Sequence, residues 1–154
     1  MRSLTLLLLS AVTAAQVTAQ SGNGFTSIGT QTGRAPARAG KALSAVPFLW
    51  AQNGLGPIEL DESNGAAAAG DGAALTIGGQ SYARGIGCYS TSAIAFDLQR
   101  RAFAFSSWVG VDDSVGNSGS VVFEVLGDGA VLYNSGLLTG SDAPVFTGRL
   151  NLRG

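Results

Sequence analysis

The sequence predicts an all-β chain folded as a β-sandwich of the jelly-roll kind, and three observations carry that prediction. Short apolar runs recur about every 8–12 residues from Leu43 onward, with Gly, Asn and Asp between them. Glycine is abundant, 23 of 154 residues, while only 12% of the chain is charged, a balance that suits many tight turns better than a helical bundle. No stretch after the first twenty residues keeps a helical period, since the alanine run at 66–69 is short and closed by Gly65 and Gly70.

Taken in order, the chain opens on Met1-Arg2, one positive charge ahead of an apolar run from Leu4 to Ala15. Val17, Thr18 and Ala19 place small residues where a signal peptidase reads, so residues 1–19 are expected to be a signal peptide cleaved before Gln20. The run of about 12 residues falls short of a bilayer span, and no second one follows, so no membrane span is expected. The mature chain is expected outside the cytoplasm, extracellular or periplasmic. Residues 20–42 are rich in Ser, Gly, Thr, Gln and Ala with Arg34, Arg38 and Lys41 as their cations, a composition expected of a flexible linker.

The folded part is expected over 43–154. Residues 74–77 and 80–83 flank Gly78-Gly79, a two-residue hairpin signal. Ile94, Phe96 and Leu98 alternate on one face, and Phe103, Phe105, Ser107 and Val109 do the same in the next run. Residues 120–126 lead into Asp128-Gly129 and residues 130–133 return, a second hairpin signal. Residues 145–152 form a last, weaker strand.

Composition removes whole function classes. The net charge of −1 offers no electrostatic footprint for nucleic acid. The absence of histidine removes Ser-His-Asp and Cys-His catalysis. A lone cysteine, Cys88, permits no internal disulfide and is expected as a buried structural thiol. Glu59, Asp61 and Glu62 lack the opposed partner that a glycosidase carboxylate pair requires, and Tyr82 to Gly87 does not complete a dinucleotide fingerprint. The chain is expected to be no enzyme.

Two polar clusters remain. Residues 52–65 place Asn53, Glu59, Asp61 and Asn64 beyond Trp50, amides and carboxylates that suit sugar hydroxyls beside an aromatic that suits the C–H face of a pyranose. The same residues also serve to satisfy turn backbone, and the sequence leaves both readings open. Asp112, Asp113 and Asn117 lie on a Gly-rich loop between strands, hard oxygen ligands for a structural calcium or, equally, caps of a turn.

Three ordered segments, residues 51–65, 70–87 and 108–143, resemble the NPCBM module, which overlaps carbohydrate-binding module family 51. The resemblance covers about 43–154. It implies a galactose-binding-like jelly roll, appended without catalytic duty to secreted glycoside hydrolases, binding galactose-containing glycans and holding a structural calcium. On this resemblance the carbohydrate-binding residues are Trp50, Asn53, Glu59, Asp61, Asn64 and Tyr89, and Glu59 is expected to be replaceable without loss of fold. Leu55 stands where the family has an aromatic and Tyr89 where it has a histidine. The resemblance also implies one or two further strands after Gly154, so the fold is expected to be C-terminally truncated and less stable than its relatives. Two other readings compete: an inert sandwich remnant, and a surface domain that binds protein. The oligomeric state is left open.

Overall fold

The computed structural model describes residues 3–9, 14–22 and 41–153. The chain begins with β1 (Ser3–Leu9) and β2 (Ala14–Gly22), then β3 (Phe48–Gln52) and β4 (Glu59–Leu60). The hairpin β5 (Leu75–Ile77) and β6 (Gln80–Tyr82) follows, then β7 (Ile86–Tyr89), β8 (Ser92–Asp97) and β9 (Ala104–Val111). A second hairpin joins β10 (Ser120–Gly127) to β11 (Ala130–Thr139), and β12 (Val145–Phe146) and β13 (Leu150–Asn151) close the order. The described helical segments are two short 3-10 turns, 43–45 and 113–118.

Two antiparallel sheets face each other. One runs β11-β10-β1-β8-β3, the other β12-β9-β2-β7-β4 with β13 also on β9. Ile94 and Phe96 of β8, Val121, Phe123 and Val125 of β10, Ile86 and Cys88 of β7, and Phe105, Val109 and Val111 of β9 form one buried cluster between them. This is the expected sandwich. Each strand exposes alternate residues to opposite faces, and β10 shows it plainly: Val121, Phe123 and Val125 are buried while Val122, Glu124 and Leu126 are half-buried. Strand β9 is buried on both faces, because the β5–β6 hairpin lies over its outer side. Leu75, Ile77 and Tyr82 cover Trp108 there. The hairpin comes so close that a Cβ on Gly110 would stand 2.4 Å from Ile77 Cγ2, so that position requires glycine.

Both hairpin signals are met by turns with two successive positive φ angles: 57° and 77° at Gly78-Gly79, 48° and 84° at Asp128-Gly129. Such turns match the right-handed twist of the strands they join. The last expected strand is broken in two at Gly148, whose φ is +71°. Between its halves Thr147 and Ser107 hold each other, Thr147 N–H donating to Ser107 O at 2.8 Å and Ser107 N–H to Thr147 Oγ1 at 2.9 Å.

The N-terminal segment, expected as a signal peptide, is paired within both sheets. β1 pairs with β10 on one side and β8 on the other, and β2 with β7 and β9. Leu4 and Leu6 are each 1% exposed within the main cluster. Burying a leucine contributes roughly 1.5–3 kcal/mol, so in this fold the segment that reads as an export signal also carries core. Residues 20–22, expected in the linker, pair with Ser106, Phe105 and Ala104 because the β9 backbone offers them ladder partners. The rest of that linker up to residue 40 lies outside the described residues.

Candidate functional site

The loops after β3, β4 and β6 bring most of the expected sugar-binding residues into one neighbourhood, but as a brace. Asn53 sits at its hub. Its Oδ1 accepts from Tyr89 N–H at 2.6 Å, and its Nδ2 lies 2.7, 3.1 and 2.8 Å from the carbonyls of Leu55, Gly56 and Pro57 and 2.8 Å from Asn64 Oδ1. An amide has two N–H groups, so these four oxygens share them. Asn64 in turn donates to Leu55 O at 3.2 Å and Gly65 O at 2.6 Å. Gly54 completes the contact: its N–H donates to Tyr89 O at 3.1 Å, and a Cβ there would stand 2.2 Å from Ser90 O. The amides of Asn53 and Asn64 therefore fix the 54–58 loop against the end of β7.

Glu59 is 2% exposed, with Oε2 accepting from Gly70 N–H at 2.8 Å and Oε1 buried without a hydrogen-bond partner. Glu59 lies opposite Gly87 in the β4–β7 ladder, and its side chain faces protein. Asp61 is half-buried, in a left-handed conformation with φ 67°; its Oδ1 accepts from Gly85 N–H at 3.0 Å. The same oxygen lies 3.3 Å from Arg84 Nε, in a geometry too poorly aligned for a hydrogen bond. Both side chains keep about a third of their surface in solvent, 36% for Arg84 and 31% for Asp61, so this charge pair adds little stability and stays accessible. The sequence reading missed Arg84, although it is the single cation between Lys41 and Arg100. Asp71 Oδ2 accepts from Ala67 and Ala68 N–H, both at 2.9 Å, and shapes the 66–70 turn.

Trp50 is placed apart from this cluster, on edge strand β3 opposite Ala95 and 51% exposed, beside exposed Phe48 and Leu49. Tyr89 is half-buried at the end of β7. Cys88 is fully buried, and burial pushes its thiol up to about 12 against a smaller lowering by Ser92. That places it outside any nucleophilic role at neutral pH.

The second polar loop is also a brace. Asp112, 1% exposed, accepts from Thr76 N–H at 3.0 Å through Oδ2 and from Ser114 N–H at 3.0 Å through Oδ1, which the Ser114 hydroxyl also approaches. Asp113 accepts from Gly78 N–H at 2.7 Å and Gly79 N–H at 2.9 Å. The two carboxylates clamp the β5–β6 hairpin onto the end of β9. Asn117 is exposed on the same segment. The Asp oxygens of this set point at backbone donors, and among the described residues no group of three or more His, Cys, Asp or Glu is placed to hold a metal ion.

Residues 40–151 match the NPCBM/NEW2 domain. A protein of Renibacterium salmoninarum carrying the name endo-alpha-N-acetylgalactosaminidase is 42% identical over 91 residues, 59% of this chain and 6% of that protein. An alpha-1,3-galactosidase B of Akkermansia muciniphila is 32% identical over 98 residues, 62% of this chain and 12% of that protein. The aligned region is thus a small part of either relative. No solved structure matches the chain. With the match spanning both braced loops and every strand from β3 to β13, the chain belongs to the NPCBM/NEW2 domain family.

Proposed function

We propose that this carbohydrate-binding module recognises galactose-containing glycans and serves a glycoside hydrolase as a non-catalytic targeting domain. The observation that carries the reading is the family match over 40–151, joined by two relatives whose names both specify galactose-configured sugars. The geometry supports a site at the loop rim. With Asn53, Asn64 and Glu59 engaged in holding the loops, the accessible groups are the Asp61–Arg84 pair, which offers an acceptor and a donor to sugar hydroxyls, and the Tyr89 ring. Trp50 supplies a second aromatic surface on β3. The full chain should bind galactose-terminated glycans on an array, and Arg84→Ala should weaken that binding about tenfold, the scale of one lost charged hydrogen bond, with an unchanged circular dichroism spectrum. Absence of binding to every galactose-containing glycan would sink the reading.

We infer also that the chain is exported, on the strength of Met1-Arg2, the apolar run and the small residues at 17–19. Residues 1–19 fused to a reporter enzyme should carry it out of the cytoplasm; a reporter that stays inside refutes this. Among the described residues no helix is long and apolar enough to cross a membrane.

A further inference from the structure

We propose that the family-matched domain contains two strand-accepting slots, and that residues 3–9 and 14–22 are the strand donors that fill them. The stretch that matches the family, 40–151, contains every described strand except β1 and β2. Those two are not edge additions. β1 is the middle strand of β11-β10-β1-β8-β3, and β2 the middle strand of β12-β9-β2-β7-β4. Without β1, strands β8 and β10 would stand two strand spacings apart, about 9.5 Å, too far to pair. They also run parallel to each other, since each is antiparallel to β1. The same holds for β7 and β9 around β2.

The first slot specifies what enters it. Leu4 lies opposite Gly127 and Phe96, and Leu6 opposite Val125 and Ile94, so both leucines fall on the core face. A slip of one residue would turn them outward. The strand start is locked reciprocally at the β10–β11 turn: Ser3 N–H donates to Asp128 Oδ1 at 2.7 Å, and Asp128 N–H donates to Ser3 O at 3.1 Å. The slot therefore takes one extended segment with apolar residues two apart and a free backbone N–H and C=O one residue ahead of the first. In this chain the occupant is its own N-terminal strand. Removal of residues 1–19 would take away all of β1 and leave only residues 20–22 of β2.

The test uses the full chain with a site for a sequence-specific protease inserted within residues 23–40. After cleavage under native conditions, the N-terminal fragment should co-elute with the remainder on gel filtration and separate only in denaturant. Leu6→Asp in the same chain should release it. In the uncut wild-type protein, the amides of residues 4–8 should rank among the slowest to exchange with solvent. Release of the wild-type fragment from a remainder that keeps its cooperative melt, or exchange of those amides at the rate of an unstructured peptide, would overturn it.

Discussion

The segment 53–65, which carries the two-residue strand β4, and the loop at 112–119 look alike in sequence: both are Gly-rich and polar. Both turn out to brace the fold, and they do it with different chemistry. Asn53 donates and accepts at once, so one amide ties the end of β3, the carbonyls of residues 55–57, Asn64 and the β7 backbone together. Asp112 and Asp113 accept only, and so they collect amide N–H groups from one hairpin and one 3-10 turn. An amide hub suits a place where carbonyls crowd; a carboxylate clamp suits a place where N–H groups do. The difference decides which loop can still face a ligand: the first leaves Asp61 and Arg84 accessible at its rim, whereas the second closes on its own hairpin.

Substitutions at either loop separate the amide hub from the carboxylate clamp. Asn53→Asp should have the largest effect, because it sets a carboxylate against three carbonyls and Asn64 Oδ1; a loss of at least about 3 kcal/mol in chemical denaturation is expected. A stability equal to wild type would mean that the hub is not what fixes the loop. Asp112→Ala should cost about 2 kcal/mol, because it removes a buried carboxylate that pairs the Thr76 and Ser114 N–H groups. Asp113→Ala, at an exposed position, should cost about 1 kcal/mol, and its clearest sign should be faster amide exchange at Gly78 and Gly79. Equal losses for the two aspartates would contradict the division between a buried and an exposed clamp.

The smallest effect is expected at Asp142, a carboxylate that serves the end of β11 as Asp113 serves the hairpin. Thr139 donates to it through both N–H and Oγ1, each at 2.7 Å, and these bonds hold its carboxyl below the ordinary 3.8. With the folded value lowered, its contribution is present above the unfolded value and is lost as the pH falls through the folded one. Asp142→Asn should therefore lower the melting temperature slightly at pH 7, and by less at pH 3, below the ordinary 3.8. A variant that differs from wild type equally at both values would refute the assignment.

Neighbouring residues alone fix those parts of this protein that need no distant partner. Gly78-Gly79 and Asp128-Gly129 make their turns because both residues of each pair take positive φ, and the alternation of Val121, Phe123 and Val125 fixes which face of β10 is core. Local patterning also gave the sandwich class, and the ordered segments at 51–65, 70–87 and 108–143 marked the family. The tertiary structure alone decided the rest, since a polar side chain reads the same whether its partner is a ligand or a distant amide. Asn53 meets Tyr89 N–H 36 residues away, Asp113 meets Gly78 35 residues away, and Ser3 meets Asp128 125 residues away. An apolar run such as Leu4 to Leu9 fits an export signal or an interior strand equally well, because both require hydrophobicity over a similar length. Only the pairing of β1 with β8 and β10 places it inside a sheet.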